Sequence, residues 1–73
     1  MTTVARAPSP LRLLRLANGL TQEQVADRAH LSRETVSRLE RGNAPTLRTA
    51  QALSSALDAP VGALFPAEWE GSR

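Results

Sequence analysis

Apolar residues recur along the chain at intervals of three and four positions, and short polar breaks separate the apolar stretches. This spacing is typical of amphipathic helices, whereas no stretch shows the period of two that a half-buried strand requires. Five helices are predicted from residues that suit a helix start and from the breaks that follow. Their predicted starts are Ser9-Pro10, Thr21, Ser32, Thr46 and Pro60, and their predicted ends lie near Asn18, Ala29, Gly42, Asp58 and Pro66. The pattern therefore predicts a compact all-α fold of five helices.

The second predicted helix shows the features on which these assignments depend. Thr21 can cap its first turn, and Gln24, three residues later, can reach back as in a capping box. Val25, Ala26 and Ala29 then form a narrow buried stripe, in which the small alanines let another helix approach closely. The same periodicity predicts buried positions in the fourth helix at Leu47, Ala50, Leu53, Ser54 and Leu57.

The first predicted helix carries leucines on two sides. Leu11 and Leu14 share a face with Arg15 and are expected to point toward the core, while Leu13 and Leu16 lie on roughly the opposite side. Two exposed leucines are ordinary on the surface of a monomer. The alternative is that they pack on the N-terminal arm, on Trp69 or on a second subunit.

Length and composition restrict what this fold can do. The 73 residues predict one domain at 10–66, between a flexible N-terminal arm (1–9) and a C-terminal tail (67–73). A chain of this size buries only about 60% of its unfolded surface, so a second copy would add stability. There is no cysteine, which excludes disulfides and cysteine-based metal sites. Since no signal peptide and no apolar run of about 18 residues is found, a cytoplasmic protein is expected.

Charge is unevenly distributed, although the formal net charge is only +2. All nine basic residues are arginines, and residues 28–48 hold five of them against two glutamates. Residues 58–73 hold three acidic residues and one arginine. A high-GC genome would explain arginine in place of lysine, but not its clustering. A basic middle region indicates a surface for a polyanion.

The third predicted helix, within SRETVSRLERG (32–42), places these arginines on one side. At about 100° per residue, the polar side chains fall on one face and the two large apolar ones on the other. The polar face holds Arg33, Glu34, Ser37, Arg38 and Arg41, and the apolar face holds Val36 and Leu39. Arginine can bond guanine O6 and N7, glutamate can accept from cytosine N4, and serine is tolerant. Such a face suits the DNA major groove; the alternative is a solvated face with an internal Glu34–Arg38 pair.

Two short helices joined by a tight turn, the second with exposed polar side chains, form a helix-turn-helix. Here the chain resembles the Cro/C1-type helix-turn-helix domains of phage repressors, restriction–modification controller proteins and small bacterial regulators. The resemblance rests on GLTQEQVADRAHLSRETVSRLERGNAPTLRTAQAL and on VGALF, and it covers about residues 10–66. It implies a lambda-repressor-like fold and binding to double-stranded DNA.

The resemblance also implies roles for individual residues. Those expected to contact bases are Arg33, Glu34, Ser37 and Arg38, with Glu34 alternatively only orienting Arg38. Those expected to contact phosphates are Gln22, Thr35, Arg41, Asn43 and Arg48. Arg15 and Glu40 stand where the family has a structural ion pair between the first and third helices. His30 departs from the family, which often has glycine in the turn, but histidine is among the residues enriched at positive φ.

The expected function is a transcriptional regulator that binds an inverted repeat as a homodimer, is associated with the nucleoid, and acts mainly by blocking RNA polymerase. A dimer is expected because one recognition helix reads too few base pairs to be specific. Candidate interface residues are Val61, Leu64, Phe65 and Trp69. Aromatic residues are often enriched at subunit interfaces. Trp69 could instead cap the core of its own subunit.

The alternative function is a protein-interaction module, antitoxin-like or adaptor, that uses the same fold. RNA binding is disfavoured because the basic segment contains no aromatic residue. An enzyme is disfavoured because no nucleophile–base pair, metal cluster or phosphate loop is present in the sequence. One histidine without cysteine cannot form a zinc site. No metal, cofactor or small-molecule ligand is therefore expected.

Overall fold

The computed structural model describes residues 8–66, which contain five helices and no strand. The helices are α1 (Pro10–Ala17), α2 (Gln22–Ala29), α3 (Arg33–Glu40), α4 (Leu47–Leu57) and α5 (Val61–Leu64). The predicted all-α class with five helices is confirmed. The predicted tail and all but two residues of the predicted N-terminal arm lie outside the described residues.

A hydroxyl side chain begins each of the four longer helices. Ser9, Thr21, Ser32 and Thr46 each accept a hydrogen bond from the backbone N–H three residues later, at 3.0–3.1 Å. These bonds satisfy donors that the first helical turn leaves without an intrahelical partner. The capping box of α2 is complete, since Oε1 of Gln24 accepts from the backbone N–H of Thr21 at 2.9 Å. The predicted helix starts are therefore confirmed together with their cause.

Left-handed backbone conformations end several of the helices. Gly19 and Gly42 have φ of 70° and 110°, and two residues other than glycine also lie in this region, His30 at 59° and Asp58 at 53°. His30 ends α2 and turns the chain toward α3, as the sequence predicts. Histidine and aspartate are enriched in this conformation, which is uncommon for most other side chains.

The core lies where the apolar faces of all five helices meet. Its fully buried large side chains are Leu11, Val25, Val36, Leu53 and Leu64. Small residues on facing helices, Ala26 and Ala29 of α2 and Ala50 of α4, are also buried there. Because these alanines are short, α2 can pack closely against both α3 and α4.

Two predictions for α4 need correction. The prediction that Leu47 lies in the core is wrong, because this residue is 55% exposed. It is the first residue of α4, and the buried stripe of that helix begins only at Ala50. Ser54 is half-buried rather than buried, and its hydroxyl donates to the carbonyl of Ala59 at 2.5 Å. This bond satisfies the polar group where α4 leads into α5.

Candidate nucleic-acid interface

The outward face of α3 consists of polar side chains. Arg33, Glu34 and Arg38 are exposed and Ser37 is half-buried, whereas Val36 on the opposite side is fully buried. The apolar side of α3 is thus used to hold the helix, and the polar side is left available to a ligand. We call Arg33, Glu34, Ser37 and Arg38 the α3 reading face.

The predicted Glu34–Arg38 pair is one alternative use of this face. Within residues 8–66, the only salt bridge joins Arg15 to Glu40, so Glu34 and Arg38 are not paired with each other. Arg33 makes one contact inside the chain, a long hydrogen bond of 3.4 Å from its Nη1 to Oε1 of Gln22. The charged groups of the face are therefore free, or nearly free, to engage a partner.

A buried ion pair fixes α3 to α1. Nε of Arg15 donates to Oε2 of Glu40 at 2.5 Å, and Nη2 of Arg15 donates to Oε1 at 3.1 Å. Nη1 of Arg15 also donates to the backbone carbonyl of Leu20 at 2.9 Å, which lies in the turn between α1 and α2. The guanidinium therefore has partners on each nitrogen, as a buried arginine requires.

Gln22 connects this ion pair to the reading face. Its Nε2 donates to Oε1 of Glu40 at 3.0 Å, while its Oε1 accepts from Arg33. The side chain is half-buried at the first position of α2. A glutamine amide has two N–H donors, so Gln22 has a second donor beyond the one that bonds Glu40.

The remaining predicted phosphate contacts differ in exposure and in the hydrogen bonds they make within the chain. Arg41, Asn43 and Arg48 are exposed. Nη1 of Arg41 donates to Oγ of Ser37 at 3.0 Å, one helical turn earlier. Thr35 is half-buried, and its hydroxyl lies 2.9 Å from that of Ser32. Thr35 therefore supports the start of α3 in addition to any contact with DNA.

The turn between α2 and α3 sets the angle at which the reading face is held. It contains only His30, Leu31 and Ser32. His30 reverses the chain, and the backbone N–H of Leu31 donates to the carbonyl of Ala26 at 2.8 Å. Leu31 packs against the core, and Ser32 caps α3. This is the compact connection of a helix-turn-helix.

Comparison with known proteins agrees with this geometry. The model of a family described as helix-turn-helix matches residues 11–64, which is well over half of the chain. The chain belongs to the Cro/C1-type helix-turn-helix family. No curated protein and no solved structure gives a match. The family consists of DNA-binding, non-enzymatic domains, so the chain contains a DNA-binding helix-turn-helix domain.

The helix-turn-helix domain leaves little of the predicted dimer surface exposed. Leu64 is 1% exposed and Phe65 is 6% exposed, because both pack into the core of the single chain. Side chains that are already buried have little area left to cover, so Leu64 and Phe65 are poor anchors for a second subunit. Val61 is half-buried, and Trp69 lies outside the described residues.

The contacts of Gln22 were not predicted from the sequence. Gln22 and Glu40 are 18 positions apart, and Gln22 and Arg33 are 11 positions apart. No local pattern links residues at those separations. The family resemblance placed Gln22 at a phosphate and Glu40 beside Arg15, but it did not indicate that Gln22 joins the ion pair to Arg33, a predicted base contact.

Within residues 8–66, no three histidine or acidic side chains converge in a way that could hold a metal ion. None of the helices has the length and apolar character that crossing a bilayer requires.

Proposed function

We propose that this domain is a sequence-specific transcriptional regulator, which reads duplex DNA by inserting α3 into the major groove. The observation that carries the proposal is the exposure of Arg33, Glu34 and Arg38 on one face of a helix whose other face is buried. Arginine and glutamate match the hydrogen-bonding edges of guanine and cytosine in that groove. Ser37 lies beside them on the same face.

Further polar side chains on α2, on and just after α3, and on α4 support phosphate contacts. We infer that Gln22, Thr35, Arg41, Asn43 and Arg48 contact the DNA backbone and so fix the register of α3. Arg48 lies in the first turn of α4, and Gln22 is the first residue of α2. Phosphate contacts at such positions would flank the groove on two sides, which positions a helix without specifying sequence.

We infer that the functional unit is a homodimer on an inverted repeat. Each bidentate base contact contributes about 1–3 kcal/mol of discrimination, and one α3 offers only a few. Competition from roughly a million or more other sites demands more than that. Two subunits double the contacts and place two recognition helices about 34 Å apart on one side of the duplex. Repression would follow where the site overlaps that of RNA polymerase.

Selection from random duplex DNA tests this proposal. The expected result is an enriched inverted repeat whose half-sites are centred about one helical turn apart. The experiment returns the sequence read, its symmetry and its spacing together. Enrichment of a single asymmetric site would contradict the dimer, and enrichment of no sequence would contradict specific readout.

Salt dependence separates DNA binding from the alternative of a protein-interaction module. A dimer that contacts six or more phosphates should lose about 1,000-fold in affinity between about 50 and about 200 mM salt. A module that binds an acidic protein through the same arginines need not bind random duplex DNA at all. Arg41→Ala should reduce the salt slope. Arg28→Ala removes another exposed arginine, one to which no phosphate contact is assigned, and serves as the matched control.

A further inference from the structure

A groove of about 180 Å³ lies away from the reading face, beside the end of α5. Three parts of the chain form its walls: the start of α1, the end of α3 with the residues that follow, and the end of α5. Most of its lining is apolar and consists of Pro10, Leu11, Leu39, Leu64, Phe65 and Pro66. Leu39 lies on the buried side of α3, so the groove is separate from the α3 reading face, although it shares Asn43 with the proposed phosphate contacts.

We propose that the side chain of Trp69 from the same chain occupies this groove. Pro66 forms part of its wall, so residues 67–69 start at the groove itself. Three residues reach about 10 Å when extended, which is enough to return a side chain across a groove of this size. Trp69 is the one large apolar side chain in residues 67–73, and an apolar groove suits an indole ring.

Charge around the groove favours the same segment. Glu68 and Glu70 flank Trp69. The groove wall includes the start of α1, where helix dipoles favour negative charge. The first turn of α1 contains no acidic residue of its own. A segment that brings two carboxylates to this end of α1 would therefore supply the negative charge that the helix dipole favours there.

Proximity favours the same chain over a second copy. A segment attached at the groove wall has an effective concentration on the order of millimolar at the site. A second copy must compete with it from its bulk concentration. The groove also includes Gly42 and Asn43, so Trp69 would hold the segment after α3 against α1 and α5. This placement differs from a position at a subunit interface.

Fluorescence and NMR of the full chain test the proposal directly, because Trp69 is its only tryptophan. The expected emission is that of a buried indole. It should stay the same as the protein is diluted to a concentration at which sedimentation velocity detects only monomer. Nuclear Overhauser contacts are expected from the indole ring to the methyl groups of Leu39 and Leu64. Emission typical of an indole in water would overturn the proposal. Contacts found only between labelled and unlabelled chains would assign the groove to a second copy and overturn it as well.

Variants give an independent readout at a concentration where the protein is monomeric. Trp69→Ala is expected to lower Tm by at least about 4 °C, and Trp69→Phe is expected to retain most of the lost stability. Truncation after Glu70 should keep the Tm of the full chain, whereas truncation after Pro66 should lower it as Trp69→Ala does. Ser72→Ala is the control for a change in this segment. An unchanged Tm in Trp69→Ala would show that the indole contributes nothing to the fold and would refute its docking.

Discussion

Arg15 and Glu40 form a two-point ion pair between α1 and the last residue of α3, although they are 25 positions apart in the sequence. Their side chains are only 10% and 4% exposed. The same carboxylate accepts from Gln22, so one buried group joins α1, α2 and α3. This group therefore helps to hold α3 against α1 and α2.

Removing one partner of this pair should destabilise the fold strongly. Glu40→Ala leaves the guanidinium of Arg15 buried without its carboxylate, which costs about 3–5 kcal/mol in comparable buried pairs. Urea unfolding followed by circular dichroism measures the loss. The double variant Arg15→Met, Glu40→Leu should be less destabilised than Glu40→Ala, because neither charge is then left alone. Equal losses in the two variants would mean that the pair is not electrostatically coupled.

Backbone conformation predicts opposite changes in stability for substitutions at two turns, Gly42 and His30. Gly42 has φ of 110°, where a side chain is strained even though a Cβ would meet no atom within 4 Å. Gly42→Ala should therefore lower stability by roughly 1–2 kcal/mol. His30 already bears such strain at φ 59°, so His30→Gly should stabilise the protein by a few tenths of a kcal/mol to about 1 kcal/mol. Thermal unfolding of both variants measures the two effects, and a stabilised Gly42→Ala would contradict the assignment.

The helix starts could be predicted because their causes are local. A cap at Ser32 or Thr46 needs only a backbone N–H three residues further on, which the sequence itself specifies. The reading face was predictable for a similar reason, since a rigid helical period sorts Arg33 and Val36 onto opposite sides. Both kinds of inference stay within one helix.

The errors concern packing between helices. Leu47 satisfies the periodicity of a buried stripe but lies at the first position of α4, and periodicity does not tell where the neighbouring helices stop. Leu64 and Phe65 stay candidate interface residues, although the core of the single chain already buries both of them. Whether an apolar side chain serves its own core or a partner depends on distances that only the folded chain defines.

Gln22→Ala should weaken DNA binding on every sequence without changing the preferred one. The variant removes the donor available to a phosphate, and a hydrogen bond to a charged group contributes about 1.5–3 kcal/mol, or roughly tenfold or more in affinity. Titration against the selected site and against a scrambled duplex measures both losses. A preference that relaxes at one symmetric pair of positions would instead show that Gln22 acts by positioning Arg33, its neighbour in the structure.

Arg38→Ala and Arg48→Ala should separate base reading from phosphate contact, since both remove an exposed arginine. Arg38 projects from α3 without an ion-pair partner among the described residues. Its loss should relax preference at one symmetric pair of positions and cost about 1–3 kcal/mol on the best site. Arg48 lies on α4, and its loss should weaken binding almost uniformly and lower the salt slope by about 1 per subunit. Repeating the selection with each variant checks both expectations; a uniform loss for Arg38→Ala would make Arg38 a phosphate contact.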